Sequence, residues 1–200
     1  MDQKEQMKKN LIEEINSYYD HYVYMADVMA VHNHMQSYVN SNSQILEIAP
    51  NFFRIVYAAT IDSYMLTFAR VYDNSKQAKS IVNLISKCKE SSSLFDNMKE
   101  EVEKRLTDFE SRIKTDEILA PAIDLIKHRR DKIFAHNDEK YFIHPEKDNS
   151  YLPMYALWFL SSFTKEVLLY LLEALGEKPI KETIYDKDFE NLLNNLPQTI

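Results

Sequence analysis

The sequence predicts an all-α protein, and three observations carry that prediction. Its 200 residues include one glycine, Gly176, so the tight turns and phosphate loops of β-rich and α/β proteins have almost nothing to be built from. Apolar residues recur at steps of three and four in nearly every segment, which is the period of a helix face and not the alternation of a strand. The prolines punctuate: Pro50 and Pro153 open apolar runs, Pro145 lies in a polar stretch, and Pro179 follows the lone glycine.

Taken in order, the first helix is expected from about Asp2 into the late thirties. Leu11, Ile15, Tyr18, Tyr22, Met25 and Met29 form one apolar seam, which loses its apolar character at His32 and Gln36. The run Asn40 to Gln44 reads as a loop. Pro50 starts a second helix to about Asp73 that buries Phe53, Tyr57, Thr60, Tyr64, Phe68 and Val71. Asp73, Asn74 and Ser75 stop it and cap a shorter helix through Ile81, Leu84, Ile85 and Cys88. Ser91 to Ser93 break that helix, and Ser93 with Asp96 resembles a capping pair ahead of a stripe through Phe95, Met98, Val102, Phe109 and Ile113.

Thr115 and Asp116 either cap a further helix or precede a kink at Pro121 in a continuous one. Helix is expected from about Ala122 to Phe134, then a polar loop from Asn137 to Ser150. Pro153 opens a strongly apolar helix through Leu157, Leu160, Val167, Leu168 and Leu171, closed by Gly176. A short last helix holds Phe189, Leu192, Leu193 and Leu196. No repeat or linker divides the chain, so residues 1–200 read as a single helical domain, a bundle with short peripheral helices.

Composition excludes several classes of function. A GxxxxGK phosphate loop and a dinucleotide fingerprint both need more than one glycine. There is no HExxH, and no glutamate stands three positions before any of the six histidines, so no di-iron bundle is expected. His32 and His34 point to different helix faces, a poor start for a shared metal, so neither a metal nor a cofactor is expected. Cys88 falls on an apolar stripe and reads as core; as the one cysteine it forms no internal disulfide, which fits a reduced, cytoplasmic setting. The charged N-terminus has no apolar signal core behind it. The most apolar stretch, Tyr151 to Leu175, carries Lys165 and Glu166 at its centre, which argues for a buried helix and against a membrane span. With a net charge of −7, any nucleic-acid contact needs a local basic patch on an acidic body.

One segment has that character. Residues 127–138, KHRRDKIFAHND, hold four of the chain's 24 lysines and arginines and two of its six histidines, at the end of a helix. A basic last turn is also what the helix dipole favours, so the cluster has a plain structural reading. Helical geometry adds that Arg129 and Lys132 share a face with His136, while Asp131 and Asp138 lie on a neighbouring one. An arginine grips a phosphate bidentately, and a histidine moves a proton near neutral pH. Metal-free RNA cleavage requires those two groups: the 2′-hydroxyl loses a proton, the leaving 5′-oxygen gains one, and the crowded phosphorane wants positive charge.

The same segment resembles the signature of the HEPN superfamily, small helical RNA- and nucleotide-associated domains with an arginine, four to six further positions, and a histidine near the end of an inner helix. Arg130-Asp131-Lys132-Ile133-Phe134-Ala135-His136 fits with five intervening residues, and Arg129 would fit with six. The ending Ala135-His136-Asn137-Asp138 and the upstream Ala69-Arg70-Val71-Tyr72-Asp73 are similar to the abortive-infection U-type branch.

That resemblance implies a four- to five-helix bundle and a homodimer whose two motifs face one cleft. It also implies a metal-independent endoribonuclease of a toxin or phage-defence system, with RNA as substrate and an antitoxin as a possible partner. Arg130 would bind the scissile phosphate, His136 would serve as general acid or base, and Asp131 would orient the pair. Arg129, Lys132 and Asp138 would contact substrate. A non-catalytic HEPN module binding RNA, nucleotide or protein would carry the same pair. Some toxin members have a tyrosine two positions after the histidine, where this chain has Asp138, so control through that tyrosine is not expected. Arg70 and Asp73 either form a local ion pair or support the site.

Overall fold

The computed structural model describes residues 2–40, 47–131, 153–178, 187–188, 191–192 and 195. Among the described residues six α-helices run in order: α1 Gln3–Asn40, α2 Pro50–Val71, α3 Ile81–Glu90, α4 Lys99–Thr115, α5 Leu119–Arg129 and α6 Met154–Ala174. No strand occurs among the described residues. The chain forms two compact units, Met1–Tyr22 with Leu66–Ile180 and Val23–Met65 with Lys181–Ile200. The expected loop at 137–150 lies outside the described residues, as does most of the expected last helix.

In the first unit α4 packs beside α3 and α5, and α5 beside α6. Ile15, Phe68, Ile85, Leu106, Phe109, Val167, Leu168 and Leu171 are fully buried there, each contributing roughly 1.5–3 kcal/mol. The apolar seam of α1 runs through Tyr19, which is buried, while Tyr18 is half-buried; the seam steps by four from Ile15. Glu166 is tolerated in the apolar α6 because two arginines of α4 neutralise it. Arg105 Nη2 donates to its Oε1 at 2.6 Å, and Arg112 Nη1 donates to both oxygens at 2.9 and 3.1 Å. The same guanidiniums lie 4.7 Å over the rings of Phe109 and Phe163, respectively. No helix among the described residues is long and apolar enough to cross a membrane.

Several caps differ from the sequence reading. Helix α3 is capped by Ser80, whose hydroxyl accepts from Asn83 N–H, and not by residues 73–75. Ser93 and Asp96 do not cap α4. They lie in a 3-10 stretch, Ser92–Met98, where Asp96 adopts φ +50 and its carboxylate takes Lys4 and Lys8 of α1 at 2.7 and 3.4 Å. Phe95 and Met98 therefore precede the helical stripe. Gly176 closes α6 with φ +80, its N–H on Glu173 O and that of Glu177 on Leu172 O, both 2.9 Å. A Cβ there would meet nothing within 4 Å, so the backbone angle and not space selects glycine.

In the second unit α1 and α2 run antiparallel. Tyr24 faces Ser63, His32 faces Thr60, and Gln36 faces Tyr57. Met35 and Phe53 centre its core, flanked by Val31, Tyr38, Ala49, Val56 and Tyr57. His32, where the apolar seam of α1 is expected to lose its apolar character, is buried. Its Nδ1 lies 3.1 Å from Thr60 Oγ1, and its ring packs on Tyr57 and Tyr64. Burial holds its pKa below the usual histidine value, so the neutral ring is favoured.

Candidate functional site

Helix α5 brings the basic segment to its place. Its start is set by Asp116, whose Oδ1 accepts the N–H groups of Ile118 at 2.9 Å and Leu119 at 3.0 Å. The Leu119 N–H is the main reason the Asp116 carboxyl titrates below the usual range, although burial opposes it. The chain thus breaks at Asp116 and restarts, and Pro121 sits in the first turn, where its missing N–H costs nothing. Leu119, Ala122, Ile123 and Ile126 anchor the helix by its buried face. Lys127, His128 and Arg129 occupy the last three positions of α5, and the backbone continues helically into Arg130.

Arg130 continues the helical path with φ −53 and ψ −52, and with Asp131 it forms a wider, π-type turn. Its guanidinium is held by two carboxylates from opposite directions in sequence. Nε donates to Asp131 Oδ1 at 2.7 Å, and Nη1 donates to Asp73 Oδ2 at 3.0 Å. Asp73 sits just past the end of α2, and its other oxygen accepts the N–H of Ser75 at 2.8 Å. The Asp73 carboxyl titrates below its usual range, first through the Ser75 N–H, against some burial, and further through Arg130. The Arg130 pKa is raised, first by Asp131 and also by Asp73, so the guanidinium is a fixed cation.

The residue beside Asp73 explains the precision of that placement. Tyr72 is fully buried, its hydroxyl donating to Leu160 O of α6 at 2.9 Å and lying 2.8 Å from Thr164 Oγ1. Two neighbouring residues of one turn therefore do different work: Tyr72 ties the end of α2 to α6, and Asp73 faces Arg130.

The structure places Asp131 and Asp73 against Arg130. Arg129 ends α5 about 100° around the helix from Arg130, with a half-buried side chain. Lys132, His136 and Asp138 lie outside the described residues. The local pair between Arg70 and Asp73 does not form with the Asp73 carboxylate, which turns to Arg130 instead; Arg70 is exposed. Asp73 was legible only as part of the motif-like Ala69-Arg70-Val71-Tyr72-Asp73, because a partner 57 positions away leaves no spacing to read. Among the described residues no group of three or more histidines, cysteines or acids is placed to hold a metal. Cys88 is buried, and burial pushes its thiol up to about 12, which makes it inert as a nucleophile.

Arg130 is thus a fixed cation flanked by two carboxylates, one from its own turn and one from the end of α2. Comparison with known families agrees with the resemblance drawn from the sequence. The model of the HEPN AbiU2 family, described as AbiU2, matches residues 8–195, and the chain belongs to that family. It is in that sense an abortive-infection-related HEPN domain with an all-α fold. No curated protein and no solved structure matches the chain.

Proposed function

We propose that the chain is a metal-independent endoribonuclease of a toxin or phage-defence system, acting through Arg130 and His136. The observation that supports this reading best is the Arg130 guanidinium, held by Asp73 and Asp131 at the end of α5 in a member of the HEPN AbiU2 family. Arg130 binds the scissile phosphate and stabilises the phosphorane. His136 moves the proton, Asp131 orients the arginine, and Arg129, Lys132 and Asp138 contact the strand. Two copies of the chain meet so that both motifs serve one cleft in the cytoplasm, with an antitoxin as regulator. The RNA's own 2′-hydroxyl attacks, the phosphorus–5′-oxygen bond breaks, and the products are a 2′,3′-cyclic phosphate and a 5′-hydroxyl. RNA incubated with protein in excess chelator tests this. Cleavage by wild type and its loss in His136→Ala supports the reading, and equal activity in both overturns it.

A second reading has an observation of its own. Arg130 already carries two carboxylates, so these three side chains sum to a net charge of −1. A guanidinium so balanced suits a non-catalytic module in which the arginine shapes a binding surface. Binding of RNA without cleavage in the same assay selects that reading.

A further inference from the structure

We propose that Asp73 is the positioning residue for Arg130 and its competitor for phosphate: it directs the guanidinium in the free protein and yields it when a phosphate diester binds. The proposal rests on the reading of Arg130 as the phosphate-binding residue, and it adds what limits that binding.

A guanidinium grips a phosphate through two parallel N–H donors, one from each nitrogen of an edge. One edge pairs Nε with Nη2, and the other pairs Nη1 with Nη2. Asp131 takes Nε at 2.7 Å, and Asp73 takes Nη1 at 3.0 Å. Each edge therefore has one nitrogen engaged by a carboxylate. A bidentate phosphate must compete with one of the carboxylates or lie against its charge, at distances where like charges repel strongly.

The two carboxylates are not equivalent. Asp131 is the next residue in the chain and holds Nε, the guanidinium nitrogen nearest the backbone, which moves least when the outer end of Arg130 swings. Asp73 belongs to the end of α2 and is anchored independently through Ser75 N–H at 2.8 Å, beside the buried Tyr72. An Arg130 side chain that turns toward a ligand therefore keeps Asp131 and leaves Asp73. Both partners are about three-quarters buried, so their contact is partly shielded from water and salt.

The test uses a single-stranded DNA oligonucleotide in chelator, which lacks the 2′-hydroxyl and so reports binding without cleavage. Asp73→Asn keeps an oxygen for Ser75 N–H and removes the charge. We expect it to bind about three- to tenfold tighter than wild type, the scale of one partly shielded charge. On an Arg130→Ala background the same substitution is expected to gain clearly less, because the part of its effect that runs through Arg130 is gone. Asp73→Glu restores the wild-type affinity. With RNA, Asp73→Asn lowers both KM and kcat, a split that loss of folded protein does not produce.

Unchanged or weaker binding by Asp73→Asn, or an equal gain without Arg130, overturns the proposal; so does a failure of all forms to bind. Should Asp73→Asn not fold, carboxyl NMR of the wild type decides. Saturating oligonucleotide should raise the Asp73 pKa as Arg130 departs, and an unmoved titration refutes exchange. The two readings fail separately: RNA left intact sinks the ribonuclease but not this proposal, which is read from binding alone.

Discussion

Removing the Tyr72 hydroxyl tests how the end of α2 is fixed beside the site. Tyr72→Phe deletes one oxygen from a fully buried side chain and takes away the bond to Leu160 O at 2.9 Å and the contact with Thr164 Oγ1 at 2.8 Å. Leu160 O is not orphaned, because Thr164 Oγ1 also donates to it at 2.9 Å. The cost is therefore that of one lost buried hydrogen bond without a stranded acceptor, about 1 kcal/mol and below the ~1–3 kcal/mol of an unsatisfied group. For a chain of this size that lowers Tm by about 2–4 °C. Urea unfolding reads it as a lower midpoint at constant slope. Tyr155→Phe on the exposed face of α6 (66% exposed) is the control and should stay within ~0.5 kcal/mol of wild type. A Tyr72→Phe protein as stable as wild type would refute the claim that this hydroxyl ties α2 to α6.

Two further outcomes follow from buried titratable groups. Burial lowers the His32 pKa, so the folded state favours the neutral ring; its stabilising share is present above the unfolded value near 6.5 and is lost as pH falls through the lower folded value. Urea midpoints measured from pH 8 downward should decline below about 6.5 in wild type and decline less in His32→Asn. The Cys88 thiol, pushed up to about 12 by burial, should resist an aromatic disulfide reagent at pH near 8 in native protein and react on unfolding in guanidinium; rapid native labelling would place it at the surface.

How much was legible in the sequence depended on how local the cause was. The helices were readable because their period is written in the apolar residues, and the glycine at 176 announced the end of α6 that its φ of +80 requires. The caps were less readable, since Ser80, Ser93 and Asp96 are all acceptable capping residues and only the fold decides which one meets a free N–H. His32 was misjudged in its surroundings, because its burial depends on Tyr57, Thr60 and Tyr64 of another helix. At the site, Arg130 and Asp131 entered through the family motif, whereas the Asp73 contact spans 57 positions and is set by tertiary packing.

The central claim is that Arg130 and His136 together cleave RNA without a metal. The most direct measurement incubates RNA with wild type, Arg130→Ala and His136→Ala in excess chelator and analyses the termini produced. Wild type should leave 2′,3′-cyclic phosphate ends, His136→Ala should lose at least ~10²-fold in rate, and Arg130→Ala should bind more weakly with a flatter salt dependence. Intact RNA with every protein, or equal cleavage by wild type and His136→Ala, would contradict the claim.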